Sequence, residues 1–318
     1  MLLIGAFFAG KRCENLNKYI INKELSGTTL EEYLKNKLEI SARNRQKLFH
    51  SSGVLINGKK AFSKRILKEN DIVSVKVQRD KDYGVIPEKG EVEILYEDDY
   101  VIALNKPAGI LVHPAGQTTR GTLANYLAGY FQEKKQIITI RPLHRLDRDT
   151  SGIVLFAKSA EMQKKLTEAF AENKIHRQYI ALVAGELKEK EGKIEAPIGK
   201  DKRNPNRRKI SVDGQKAITN YKLLKTVEVN GEKISLVELK LETGRTHQIR
   251  VHMASIGHPL LGDELYSNRK SPFKSLQGQT LHAKTIGFVH PRTGEYMEFS
   301  APLPEYFEKL LSILKSGR

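Results

Sequence analysis

The stretch that decides the fold is His144-Arg145-Leu146-Asp147-Arg148-Asp149-Thr150-Ser151-Gly152, followed at once by Ile153-Val154-Leu155-Phe156-Ala157. The first nine positions hold two carboxylates, two arginines, a histidine and a small polar tail. The apolar run behind them reads as a buried strand. A polar loop delivered to the mouth of a core strand is a common seat for reacting groups, because the strand is rigid and the loop carries the chemistry. The plain alternative is a salt-bridged turn in which Asp147 or Asp149 pairs with an arginine and Gly152 supplies an unusual dihedral.

Outward from that stretch, Val92 to Tyr96 and Tyr100 to Leu104 read as strands. Ser159 caps a helix with Met162, Leu166, Ala169 and Phe170 turned inward. Gln178 to Ala184 is a strand, and Thr219 to Leu224 and Ile234 to Leu241 form a long antiparallel pair. Ile249, Met253 and Ile256 share a helical face that Gly257 ends, and Pro304 opens a last amphipathic helix. Many strands with a few helices, not in strict alternation, give an α+β fold with a mostly antiparallel sheet.

Residues 27–78 read as a small separate α+β module. Thr29 caps a helix with Leu30, Leu34 and Leu38 on one face. Ser41 opens a basic stretch, Arg43, Arg45 and Lys47, anchored by Leu48 and Phe49. Gly53 to Lys59 is a strand running into an Asn57-Gly58 hairpin turn, and Asp71 to Val77 alternates as a strand does. Residues 1–26 precede this module as an extension. Its apolar start, Met1 to Gly10, lacks the basic region of a signal peptide and is too short to span a bilayer, so a leading strand is expected. Residues 79–91, polar with Pro87 and Gly90, read as a linker, and 92–318 as the second domain.

The chain has 318 residues with 54 Lys+Arg against 37 Asp+Glu, a formal net charge of +17. Such a field draws polyanions, nucleic acid before anionic membrane. A single cysteine, Cys13, excludes an internal disulfide and fits a cytoplasmic protein. The densest basic run, Lys200 to Lys209, contains Pro205 and two asparagines. It reads as a loop in which Lys202, Arg203, Arg207, Arg208 and Lys209 clamp phosphates. The absence of a heptad pattern or a large apolar patch points to a monomer.

His144-Arg145-Leu146-Asp147 with Thr150-Ser151-Gly152 resembles the signature of the RluA-type pseudouridine synthases. In the family's order, Asn105 to Pro114 resembles the segment before the signature, Arg177 to Gly185 the second motif, and Gly244 to His252 the third. Gly262-Asp263 and Leu281-His282-Ala283 complete the pattern. The resemblance implies a pseudouridine synthase fold with a central mixed sheet. It also implies an isomerase that breaks the uracil N1–C1′ bond, turns the base and joins C5 to C1′ without a cofactor or metal. Asp147 is then the reacting carboxylate, by attack at C1′, attack at C6 or removal of the 2′ proton. Arg245 is implied as the partner that opposes the effect of burial on it. Tyr179 would stack on the uracil and assist proton transfer from C5. The uridine must leave its stack to reach these groups. Arg145 would enter the vacated space, Ile249 would pack on the base and Leu281 would wall the pocket, though a pure packing role explains these two apolar positions equally well.

The 27–78 module resembles the small RNA-binding domain first described in ribosomal protein S-four, with Asn70-Asp71 where that domain usually has Gly-Asp. Arg43, Arg45, Lys47 and Lys59 would be its phosphate contacts. Together the two parts resemble members acting on large-subunit ribosomal RNA, with transfer RNA as the second reading and no membrane partner. Two rivals stand beside the enzyme. One is a non-catalytic RNA-binding protein that keeps the fold. The other is a metal hydrolase built on His144, His247, His252, Asp147 and Asp149, against which the five-residue spacing of His247 and His252 argues.

Overall fold

A computed structural model describes residues 16–38, 40–76, 80–267, 273, 276 and 278–316. The expected leading strand over Met1 to Gly10 lies outside these. The chain divides into two compact units, Met1–Arg79 and Asp80–Arg318.

The first unit runs β1 (Leu16–Ile20), α1 (Leu30–Asn36), α2 (Ala42–His50), β2 (Val54–Ile56), β3 (Lys59–Lys60) and β4 (Ile72–Lys76). Its sheet has the order β1-β4-β2-β3. Because β1 pairs with β4 from Leu16↔Lys76 to Ile20↔Ile72, residues 16–26 are an integral edge of this unit rather than an extension. Thr29 and Glu32 form a reciprocal capping box at the start of α1, and Ser41 caps α2. Leu30, Leu34, Leu48, Val54, Leu67, Val73 and Val75 make the core. Asn57 and Gly58 both take positive φ in the hairpin turn, and Asn70 takes φ +67° before β4. Asparagine tolerates that left-handed position better than most residues, so it can replace a glycine there. Asn57 then ties the corner by donating to Asp71 at 2.8 Å and accepting from the Ile72 N–H at 2.8 Å.

The second unit contains β5 (Glu93–Glu97), β6 (Val101–Lys106), α3 (Leu123–Glu133), β7 (Arg141–Pro142), β8 (Ser151–Ala157), α4 (Ala160–Ala171) and β9 (His176–Ala184). It continues with β10 (Glu191–Glu195), β11 (Ile198–Lys200), β12 (Arg208–Ile210), β13 (Ile218–Val229), β14 (Glu232–Leu241), α5 (Gln248–Ser255), β15 (Leu281–Val289), β16 (Tyr296–Ser300) and α6 (Glu305–Ser316). Ten strands form one sheet, ordered β10-β13-β14-β9-β15-β8-β6-β5, with β16 beside β15 and β7 beside β8. Every pairing in it is antiparallel except β15 with β8, where His282 faces Ser151 and Ala283 faces Gly152. β8 is buried along its whole length, as its unbroken apolar run requires. Leu123, Leu127 and Phe131 of α3 and Met162 and Leu166 of α4 join the same core.

Residues 80–91 are not a linker. The Asp80 carboxylate accepts from the Thr139 N–H at 2.9 Å and from Arg141, and the Ile140 N–H donates to the Tyr83 carbonyl at 2.8 Å. Glu88 accepts from the Gly121 N–H at 2.6 Å and from Arg120 at 3.1 Å. A Cβ at Gly129, inside α3, would stand 2.1 Å from the Glu88 carbonyl oxygen. The glycine therefore lets this segment lie directly on the helix. Polar composition marks carboxylates that satisfy backbone donors here, not a solvated tether. Among the described residues no helix is long and apolar enough to cross a membrane.

Candidate active site

The 144–152 stretch leaves β7 and returns into β8 as a braced loop. The Thr150 N–H donates to the Asp147 carbonyl at 3.1 Å, and the Gly109 N–H to the Arg148 carbonyl at 3.0 Å. Lys106, with 0 % of its surface exposed, donates to the carbonyls of Pro107, Ile110 and Arg148 at 2.8, 2.9 and 2.8 Å. Burial pulls its ammonium down to about 7, with Asp149 and Asp147 opposing. At the far end, Thr150 accepts from Gln279 at 3.1 Å and the Ser151 hydroxyl lies 2.9 Å from His282 Nδ1. Gly152 takes φ +109°, and a Cβ there would meet the Ala283 carbonyl oxygen at 2.2 Å. The dihedral foreseen for Gly152 is thus tied to the close parallel approach of β15.

Asp147 projects from this loop into a cleft of about 1290 Å³, its side chain 25 % exposed. Its ion partner is Arg250, whose Nη1 lies 3.2 Å from Oδ2. This corrects the expectation for Arg245. The side chain of Gln248 accepts from the Arg245 N–H at 2.9 Å and from the Thr243 hydroxyl at 2.8 Å. That fixes a turn in which the Arg245 guanidinium, exposed on the cleft wall, donates to the Lys216 carbonyl at 3.1 Å. Only past this turn does α5 begin, and its buried face carries Arg250 to Asp147. Asp263, with 0 % side-chain exposure, clamps Arg250 through two hydrogen bonds of 2.7 and 2.8 Å. Burial acts to lower the Arg250 pKa, but Asp263 and then Asp147 outweigh it and raise it. The fork is a permanent cation delivered in fixed orientation.

A second contact reaches Asp147 from His247, whose Nε2 is 3.9 Å from Oδ1. His247 takes φ +57° as it turns the chain into α5. Its Nδ1 is 2.8 Å from the Tyr266 hydroxyl, which itself accepts from the Arg208 N–H at 2.7 Å. Burial lowers the His247 pKa, with Asp147 opposing. Burial likewise pushes Asp149 up, against Lys106, Arg148 and Arg250.

Tyr179, from β9, and Arg145 both line the cleft. Burial raises the Tyr179 hydroxyl, Arg177 opposes, and Asp147 adds to the rise. Arg145 is exposed, and among the described residues no anion holds it. Of the two readings open for Ile249 and Leu281 the structure takes the packing one: they are 3 % and 4 % exposed and sit in the main core rather than on the cleft wall. Ile249 comes from α5 and Leu281 from the central strand β15, and both join the core of this unit. Leu146, Leu241 and Leu265 supply apolar lining instead.

Known proteins place the chain in a family. The family described as RNA pseudouridylate synthase matches residues 100–255. A Bacillus subtilis protein named uncharacterized RNA pseudouridine synthase YhcT is 40% identical over 291 residues, covering 92% of this chain and 95% of that protein. The chain belongs to the RluA-type RNA pseudouridine synthases. The synthase is also 38% identical over 323 residues to the ribosomal large subunit pseudouridine synthase D of Neisseria meningitidis, covering 97% of this chain and 84% of that one. Human RNA pseudouridylate synthase domain containing 1 shares the fold, with a TM-score of 0.56 and 24% identity over 72% of this chain and 98% of its own. The synthase is accordingly an isomerase that acts on RNA.

The cations expected to meet RNA separate into two groups. Arg43, Lys47 and Lys59 in the first unit, and Lys202, Arg203 and Lys209 in the second, are exposed. Arg45 is not free for RNA. It donates to Glu31 at 2.6 Å and to the Ile40 carbonyl, with 13 % side-chain exposure, and so ties α2 to α1. The basic run is a loop only in its middle, since β11 and β12 pair at its ends. Arg207 stacks on Tyr266 at 5.4 Å, and Arg208 donates to the carbonyls of Pro205 and Arg207. Arg250, Asp263, Lys106, His247 and Arg177 were not assigned these roles from the sequence. All five stand inside the quoted motifs or next to the signature, and only the start of α5 and the depth of Lys106 single them out.

Proposed function

We propose that this synthase converts uridine to pseudouridine in large-subunit ribosomal RNA, with Asp147 as the reacting carboxylate on a nucleotide swung out of its stack. One observation carries the reading: Asp147 is partly exposed in a cleft, held by Arg250 and faced by Tyr179. Water is partly displaced there, so a fixed guanidinium acts on the carboxylate more strongly than it would in solution. The buried Tyr179 keeps its proton and offers a neutral phenol beside the base. Arg145, unpaired at the rim, fills the gap left by the extruded nucleotide and offsets the few kcal/mol of unstacking. The choice of ribosomal RNA follows the large-subunit synthases matched over nearly the whole chain. The first unit, with its basic α2 and left-handed Asn70, serves as an S-four-like RNA-binding module, and the protein works in the cytoplasm with its RNA.

Tritium release from RNA labelled at uridine C5 tests the chemistry. Asp147→Asn should lower release by more than about 10³-fold while RNA affinity stays within a few-fold. Release near the wild-type rate would remove Asp147 from the role. Mapping pseudouridines in ribosomal and transfer RNA from cells lacking the gene tests the substrate. Sites lost only from transfer RNA would overturn the ribosomal reading.

A further inference from the structure

One wall of the cleft has no part in the chemistry above. Arg177 lies with its guanidinium 5.4 Å from the centre of the Phe170 ring, and the His144 ring packs against the same phenyl at 5.5 Å. All three residues line the cleft. A Cβ at Gly244 would stand 2.6 Å from Arg177 Nη1, so the glycine leaves the guanidinium its room.

Arg177 has no acceptor. Its Nε is buried without a hydrogen-bond partner, and no carboxylate or carbonyl among the described residues accepts from the rest of the fork. The carbonyls at the end of α4 do not reach it. His144 repeats the pattern. Its Nε2 accepts from the Leu155 N–H at 3.2 Å, so in the neutral ring the proton sits on Nδ1, and Nδ1 is buried without a partner. Burial first, and Arg177 second, hold His144 down at about 3, so the ring is neutral.

Arg207 shares the buried, unpartnered Nε over a ring, but no second unanswered donor stands beside it among the described residues, and three other half-buried cations of this unit are paired. Arg250 has Asp263 and Asp147, Arg141 has Asp80, and Lys158 has Glu97. The desolvated Nε–H of Arg177 and the desolvated Nδ1–H of His144, both unanswered, are unfavourable unless something arrives to accept from them. The site offers donors and positive charge only. A neutral base carbonyl would leave that charge standing, whereas a phosphate oxygen pair matches the fork in shape and sign. Arg177 and Tyr179, two apart on β9, point to the same face of the strand.

We propose that Arg177, backed by Phe170 and His144 and accommodated by Gly244, is a phosphodiester subsite that grips the RNA backbone beside the nucleotide facing Tyr179. This rests on the cleft being the seat of the target uridine. The contact positions the strand and reads no sequence.

The test uses the full chain and an unmodified large-subunit ribosomal RNA transcript labelled at uridine C5, at 50 to 200 mM salt. Filter binding gives the slope of log affinity against log salt, and tritium release gives kcat and KM. In Arg177→Met the slope should become shallower by about 1, as for one lost phosphate contact, with KM raised and kcat within about threefold of wild type. Arg177→Lys, which keeps the charge, should restore the slope. An unchanged slope in Arg177→Met, or a fall in kcat with KM unmoved, would overturn the subsite. If the wild type releases no tritium yet the slope shifts as stated, the subsite stands and the assigned reaction fails.

Discussion

The deep end of the cleft and the basic rims of the molecule use positive charge in opposite ways. In the cleft, Arg250 is 9 % exposed and is committed to Asp263 and Asp147. On α2 and the β11–β12 hairpin, Arg43, Lys47, Lys202, Arg203 and Lys209 are exposed, with no anion holding them among the described residues. Fixed pairing makes a cation part of the scaffold and gives it a direction. Freedom leaves it able to follow a flexible polyanion, at little cost to the fold. Within a strongly basic chain, pairing rather than density distinguishes chemistry from recognition.

The sharpest way to break that distinction is to compare the two arginines of the third motif. Arg250→Met strands the buried Asp263 and should cost about 3–5 kcal/mol in urea unfolding, with tritium release down about 10²–10³-fold. Arg245→Met, on the exposed wall, should cost under about 1 kcal/mol and under tenfold in rate. Equal losses would show that pairing does not mark the working residue.

Lys106 extends the comparison to pH. It is buried and paired with carbonyls rather than a carboxylate. Burial holds its folded pKa at about 7, below the ordinary lysine value of 10.5. Between those values the unfolded chain holds the proton that the folded one has released. Stability should therefore rise with pH across that window, by up to about 1.4 kcal/mol per unit, and be flat below it. Lys106→Met should lack the rise when both proteins are unfolded in urea at pH 6, 7, 8 and 9. Parallel curves would mean that the three carbonyls keep the ammonium charged despite its burial.

The smallest effects belong to α2. Arg45→Ala should destabilise the first unit by about 1 kcal/mol, because it loses a partly buried pair and a carbonyl contact, with little change in the salt dependence of RNA binding. Arg43→Ala with Lys47→Ala should do the reverse, leaving unfolding unchanged and flattening the salt slope by about 1 per contact. A slope change from Arg45 alone would put it back among the RNA contacts.

Most of the architecture was legible because local signals agreed with the tertiary outcome. Thr29, Ser41 and Ser159 cap the helices they announce, and the apolar run after Gly152 is a fully buried strand. The signature also marked the cleft. What failed was relational. Choosing between Arg245 and Arg250 requires knowing that α5 starts at Gln248, after a left-handed His247. Ile249 and Leu281 stayed open between pocket lining and packing because an apolar residue in a motif can face either a ligand or the core. Residues 80–91 read as a tether because nothing local reveals that Asp80 and Glu88 accept from backbone N–H groups 59 and 33 residues away.

The parallel seam between β8 and β15 also bears on when, during synthesis, the site can be completed. Ser151 and His282, partners across that seam, are separated by 131 residues. The loop bearing Asp147 is thus translated long before the strand that braces it, and contacts of such span form late. A nascent chain can display the whole signature and still lack a seated carboxylate. Competence would then arrive in one step, once Ala283 has left the exit tunnel and closed against Gly152, so a product truncated before β15 would be inert rather than weakly active.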